Sequence, residues 1–157
     1  KLKTKFLLVM SILSFPPVKK MTIDEKIQII PLNEKYLDTA LVSLNKNFRS
    51  FPGEKDRPEL ELGESVSPGR YSEQLAEYGI IKPQYWAAIR EESFLGLTGI
   101  FFNPEDMDEA VWGGYTFVNP EIKSSLSIIK IILLSKLVSE SNKTQKKYLR
   151  LYTETVE

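Results

Sequence analysis

Apolar and polar positions alternate through Lys26-Ile27-Gln28-Ile29-Ile30, the period of a half-buried strand, and Pro31 ends the run. Leu32-Asn33-Glu34 then opens a helix, with Asn33 placed to cap it. Leu37, Ala40, Leu41, Leu44 and Phe48 recur at three- and four-residue spacing on one face. From Arg49 to Gly69 the chain turns to proline, glycine and charge, which predicts a long loop. A short helix over Tyr71–Tyr78 follows, closed by Gly79. The period then changes to that of strands. Gln84–Arg90 and Phe94–Phe102 are two apolar runs separated by Glu91-Glu92-Ser93, a hairpin. After the turn Asn103-Pro104-Glu105-Asp106, Ala110–Val118 makes a third strand of the meander. Asn119-Pro120 breaks it, and Ser124–Ser141 carries so many Leu, Ile and Val residues that a helix buried against the sheet is expected. Polar residues 142–147 form a turn and Tyr148–Thr153 a last strand. The order predicts an α+β (mixed α/β) fold: a central, mostly antiparallel sheet flanked by helices, with one parallel pair joined through the long helix.

The opening residues follow a different rule. Lys1-Leu2-Lys3-Thr4-Lys5 followed by Phe6-Leu7-Leu8-Val9-Met10-Ser11-Ile12-Leu13-Ser14-Phe15 has the basic head and apolar run of a secretory signal, yet Phe15-Pro16-Pro17-Val18-Lys19-Lys20 offers no small-x-small cleavage site. Residues 1–20 are therefore set apart as an extra segment (spurious, disordered or signal-like), and residues 21–157 form one domain with Met21 as the expected start. With that start the expected location is cytoplasmic, without a membrane span. The run Leu149–Thr155 ends the sequence without a cap, so a domain incomplete at its C-terminus is a further expectation.

Composition narrows the chemistry. At 42% hydrophobic and 27% charged residues, the 157-residue chain is that of a globular domain with a sizeable core. Cys and His are both absent, which excludes thiol nucleophiles, disulfides, imidazole bases and the usual zinc sites, so no metal is expected. The 21 basic and 21 acidic residues cancel, but five lysines and no acid lie in residues 1–20. The remainder is net acidic, which argues against a nucleic-acid partner.

The sharpest local feature is the junction Trp112-Gly113-Gly114-Tyr115-Thr116-Phe117-Val118-Asn119-Pro120-Glu121-Ile122-Lys123 leading into Ser124-Ser125-Leu126-Ser127-Ile128. A strand that ends at proline and feeds a helix exposes unpaired amides at the positive end of the helix dipole, a latent anion site. Lys123 adds a charge and the serines add donors; the same serines would equally serve as plain caps of a core helix.

The order of elements, the meander Tyr85–Val118, Asp108–Tyr115, and Val118-Asn119-Pro120-Glu121 leading into an apolar helix and then Leu149–Thr153 together resemble the GNAT superfamily of acyl-CoA-dependent N-acyltransferases from about Ile27 onward. The resemblance implies that acetyl-CoA is the cosubstrate and an amine-bearing molecule the acceptor. It implies that the backbone of Phe117 and Val118 pairs with pantetheine, and that a [Arg/Gln]-x-x-Gly-x-[Gly/Ala] loop wraps the pyrophosphate. Laid on this sequence, that loop is Lys123, Ser124, Ser125, Leu126, Ser127 and Ile128, with Leu126 and Ile128 where the family has small residues. The tyrosine that often protonates the leaving thiolate lies in a later helix of the family; Tyr115 and Tyr152 are the local substitutes. Glu109 and Glu154, at strand ends, are candidate bases for the amine. The acidic residues of the Arg49–Gly69 loop would favour a cationic acceptor. The missing glycines and tyrosine keep open a second expectation, a catalytically silent domain of the same fold used for binding.

Overall fold

The computed structural model describes residues 6–11, 27–48 and 55–153. Among them seven strand segments and four helices form one mixed sheet with helices on both faces. The elements are β1 (Phe6–Ser11), β2 (Gln28–Pro31), α1 (Glu34–Asn47), α2 (Arg57–Val66), α3 (Ser72–Glu77), β3 (Ile81–Arg90), β4 (Ser93–Phe102), β5 (Ala110–Gly113), β6 (Phe117–Val118), α4 (Leu126–Lys143) and β7 (Tyr148–Thr153). The sheet order is β1-β7-β5-β4-β3-β2, and β6 also pairs with β4. Only β5 and β7 run parallel; every other pairing is antiparallel.

Local chemistry accounts for most of these elements. The Asn33 side chain accepts a hydrogen bond from the Lys35 amide at 3.1 Å, capping α1. Glu91 and Glu92 both adopt positive φ, 47° and 68°, in the two-residue turn joining β3 to β4, the geometry that suits the right-handed twist of a hairpin. Alternation along the central strands then sorts the core. Tyr85, Ala87, Ile89 and Leu97 face α1 and α2, packing on Leu32, Tyr36, Ala40, Leu44 and Leu62. Trp86, Ala88, Leu95, Ile100 and Val111 face α4, packing on Ile129, Leu133 and Leu137.

Two expectations are corrected. Residues 57–66, placed in a long loop by their charge and proline, form α2. Pro58 sits in the first turn, where a missing N–H costs nothing, and Leu62, Glu61 and Glu64 turn inward. Residues 6–11, set apart from the domain, pair antiparallel with β7 from Phe6↔Thr153 to Ser11↔Tyr148, so the sheet begins upstream of Met21; an apolar run of that length also suits an edge strand. As expected, α4 is buried against the sheet, along one stripe. It leaves Ile131 and Leu134 about half exposed, at 50% and 49%, because a helix lying on a sheet is covered on one side. No helix among the described residues is long and apolar enough to cross a membrane.

Candidate functional site

The third strand of the meander is interrupted in the middle. β5 pairs with β4 through Ile100↔Gly113 and Phe101↔Trp112, whereas β6 pairs with it through Gly96↔Val118 and Leu97↔Phe117. Four steps from Gly113 to Phe117 therefore face three from Ile100 to Leu97, so residues 114–116 hold one extra residue, a β-bulge. On its other side β5 pairs with β7 from Ala110↔Tyr148 to Trp112↔Arg150, and β6 has no partner there among the described residues. The two parallel strands start together and then part.

The parting leaves polar backbone facing the gap. The Asn119 amide donates to the Leu95 carbonyl at 2.8 Å, so Asn119 and Phe117 direct their backbone groups toward β4. The alternation of an antiparallel ladder turns the N–H and C=O of Val118 the other way. The Val118 carbonyl accepts from Asn47 Nδ2 at 3.4 Å. The side chains of Phe117 and Val118 are buried on opposite faces of the sheet, Phe117 with Phe94 and Phe48, Val118 with Ile129 and Leu133.

Past Val118 the chain turns into α4. Asn119 Nδ2 donates to the Phe94 carbonyl and its Oδ1 accepts from the Glu121 amide, which pins the exit of the strand. Ser125 then adopts the left-handed conformation, φ 59° and ψ 20°, and its carbonyl accepts the first helical bond from Ile129 at 3.0 Å. The amides of Leu126, Ser127 and Ile128 consequently have no acceptor within the helix. The first turn holds no acidic residue, and Lys123, Ser124 and Ser127 are exposed beside it. This end of α4 suits an anion. The glycine-like backbone position is Ser125, while Leu126 and Ile128 occupy regular helical positions, Leu126 with 40% of its surface exposed. Glu121 lies nearby but is paired with Lys46 at 2.6 Å, and that hydrogen bond lowers its pKa.

Tyr115 lies inside the bulge. Its half-buried ring packs 5.5 Å from Phe48 and 6.3 Å from Tyr85, and its amide donates to the Tyr85 hydroxyl at 3.3 Å. Tyr152 is exposed and stacks on Trp112 at 4.7 Å. Glu109 is not brought to this region. It sits in the turn before β5, where its carbonyl accepts from the Lys147 and Tyr148 amides. Six residues of extended chain, roughly 20 Å, separate it from Tyr115. Glu154 lies outside the described residues, as does Glu54.

The acidic residues of the 49–69 stretch do not form one solvated patch. Glu59 is exposed, but Glu61 and Glu64 are buried. Glu64 accepts from the Gly69 and Tyr71 amides and the Ser72 hydroxyl. Burial pushes its pKa up, and the hydrogen bonds from Ser72, Tyr71, Gly69 and Arg70 outweigh that and leave it below the usual value. Glu61 accepts from Arg57 Nε at 2.6 Å and from the Tyr85 hydroxyl at 2.5 Å. Neither Glu61 nor Tyr85 stands out in sequence. The available signal was Asp56-Arg57-Pro58, a helix start in the middle of polar text, which would have turned Glu61 and Leu62 toward the sheet.

The sequence matches no protein-family model and no curated protein. Solved structures do match. A putative acetyltransferase of the GNAT family from Desulfovibrio desulfuricans is similar over 81% of this chain and 73% of its own, with a TM-score of 0.60 and 15% identity. A putative acetyl transferase from Pyrococcus furiosus is similar over 84% and 85%, with a TM-score of 0.53 and 19% identity. An aminoglycoside 6'-acetyltransferase type Ii is similar over 79% and 70%, with a TM-score of 0.51 and 14% identity. At these identities the likeness is one of fold: this chain's mixed α+β sheet with one parallel pair is the fold of these GNAT-family structures.

Proposed function

We propose that the chain is an N-acetyltransferase that moves an acetyl group from acetyl-CoA to a primary amine by direct attack. The observation that carries this reading is the parting of β6 from β7 beside an α4 N-terminus with three unpaired amides and no acid in its first turn. A gap bordered by strand backbone suits the amide-bearing arm of the cosubstrate, and the helix end suits its pyrophosphate. In this reading Lys123 and the hydroxyls of Ser124, Ser125 and Ser127 together with the amides of Leu126, Ser127 and Ile128 hold the pyrophosphate. The Phe117–Val118 backbone orients the thioester through the N–H and C=O of Val118.

Bound there, acetyl-CoA supplies a thioester: the amine nitrogen bonds to its carbonyl carbon, the carbon–sulfur bond breaks, and the sulfur leaves as thiol. Tyr115, beside β6, is assigned the proton given to the sulfur, and Glu154 the proton taken from the amine. Glu109 drops out of the reading because of its distance along the strand.

The test is a thermal melt of the full chain with and without acetyl-CoA. Ligand at about a hundredfold its dissociation constant adds roughly 2.7 kcal/mol, a shift of about 5 °C or more for a domain of this size. Lys123→Glu is expected to weaken binding severalfold and most strongly at low salt. An unchanged affinity in that variant would remove the pyrophosphate assignment. A second reading, a silent binding domain, is favoured by the side chains of Leu126 and Ile128 in the first turn of α4; it requires a cooperative melt that acetyl-CoA does not move.

A further inference from the structure

The phenol of Tyr85 is held in a way that packing alone does not call for. Its side chain is 2% exposed, and both Gly99 on β4 and Gly114 in the bulge make room for it: a Cβ on either would lie 2.3 Å from its ring or 2.4 Å from its hydroxyl, respectively. The hydroxyl donates to Glu61 Oε2, itself 0% exposed, and accepts from the Tyr115 amide. Burying a carboxylate is costly unless it is paired, and Arg57, hydrogen-bonded to the other oxygen, supplies the pairing. The extra residue at 114–116 takes the backbone out of the β4 register, and the Tyr115 amide meets a phenol oxygen in place of a strand carbonyl.

We propose that Glu61 and Tyr85 are positioning residues: through the Tyr115 amide they hold the bulge in one register and thereby set the direction in which the Val118 N–H and C=O face the gap. The functional part rests on the reading of β6 as the seat of the thioester. The chain of contacts runs from Arg57 through Glu61 and the Tyr85 hydroxyl to the bulge two residues before Phe117. A one-residue slip there would exchange the inward and outward backbone groups of Phe117 and Val118. Burial first, and then the adjacent Glu61 carboxylate, raise the Tyr85 pKa well above its usual 10, so the hydroxyl keeps its proton and remains a donor to Glu61.

Tyr85→Phe in the full chain removes the hydroxyl and keeps the ring. Amide exchange at Tyr115 and Phe117 is expected to speed up by about tenfold, while protection in α1 and along the rest of β3 stays put. Thiol release from acetyl-CoA with a panel of primary amines is expected to fall by about tenfold in kcat, with the acetyl-CoA KM within about threefold. Glu61→Ala should reproduce both effects, and Glu61→Gln, which retains an acceptor oxygen for the phenol, should recover much of the loss relative to Glu61→Ala. Unchanged exchange at Tyr115 in Tyr85→Phe would overturn the proposal. So would a parallel fall in kcat and rise in KM with loosening throughout the sheet, which is what a purely structural role produces. A wild-type chain that neither binds acetyl-CoA nor releases thiol, with the Tyr115 and Phe117 amides still freed by Tyr85→Phe, would overturn the acetyl-transfer reading and leave the hold on the bulge standing.

Discussion

Tyr85 lies between Gly99 and Gly114, and the two contacts differ in the atoms they would strike. A Cβ at Gly114 would lie 2.4 Å from the Tyr85 hydroxyl oxygen, 2.8 Å from Cζ and 3.1 Å from Cε1. A Cβ at Gly99 would lie 2.3 Å from Cδ1 and 2.4 Å from Cε1, both of them ring atoms, and 2.8 Å from the Gln84 carbonyl. Overpacking of this kind costs about 1–3 kcal/mol. In Gly114→Ala the phenol is also driven off Glu61 and the Tyr115 amide, which leaves buried polar groups unsatisfied at about 1–3 kcal/mol more. The sum, roughly 4 kcal/mol, corresponds to a melting point lower by about 8–16 °C in a domain of this length.

Tyr85→Phe alone forfeits the same hydrogen bonds at about 1–3 kcal/mol. It also deletes the atom that a Gly114 Cβ strikes first. The double variant Gly114→Ala/Tyr85→Phe is therefore expected to be about 2 kcal/mol more stable than the two single losses added together. Phenylalanine keeps Cδ1 and Cε1, so Gly99→Ala combined with Tyr85→Phe should be additive within about 0.5 kcal/mol. Urea unfolding of the five variants and the wild type, with slopes compared to confirm a common transition, measures both cycles. If Gly114→Ala alone fails to fold, recovery of a cooperative transition on adding Tyr85→Phe is the same rescue. Equal coupling at the two glycines, or none at Gly114, would refute the geometry on which the positioning role of Tyr85 stands.

Three further outcomes follow from named contacts. The Glu64 pKa is lowered in the folded chain, so its contribution to stability is fully present above its unfolded value of about 4.5 and is lost as the pH falls through the lower folded value; Glu64→Gln should flatten that acid limb in urea titrations between pH 3 and 5 and cost about 1.5–3 kcal/mol at neutral pH. Leu133, fully buried against the sheet, should lose about 2–5 kcal/mol as Leu133→Ala, whereas its half-exposed neighbour should change by less than about 0.5 kcal/mol as Leu134→Ala. Asn33→Ala removes the α1 cap and should cost about 1 kcal/mol, read as earlier amide exchange in the first turn of α1.

What the sequence disclosed is governed by how local the determining interactions are. The meander, its hairpin turn and the Asn33 cap were legible because alternation, turn residues and capping act over a few residues. The last strand, Tyr148–Thr153, and the strand-to-helix junction at Val118–Ser125 were legible for the same reason. The helix α2 was not, since its inward side is built from Glu61, Leu62 and Glu64. Two of those three are charges whose partners, Tyr85, Tyr71 and Ser72, come from elsewhere in the chain. Pairing of residues 6–11 with β7 is likewise non-local: no feature of that run says that an edge 140 residues away will take it. Within the candidate site, the helix N-terminus was visible and the bulge was not, because a one-residue mismatch exists only between two strands.

The bulge ties the candidate site to the core. In a regular strand the groups facing the gap would follow from alternation alone, and substitutions in the opposite layer would reach them only through general loosening. Here the register of Phe117 and Val118 depends on residues 114–116, which lean on Tyr85, and Tyr85 leans on Glu61 from a helix on the far face of the sheet. Of the two glycines that admit the phenol, Gly99 lies on β4 and Gly114 in the bulge it holds, so the space and the hydrogen bond have to be kept together. The polar backbone at the gap is thus set by a buried carboxylate and a phenol on the face of the sheet opposite α4. The helix end that suits an anion is set separately, by Ser125 and the first turn of α4. Substitutions in one half should leave the other intact, and that separation makes binding at the helix end and orientation at β6 open to separate tests.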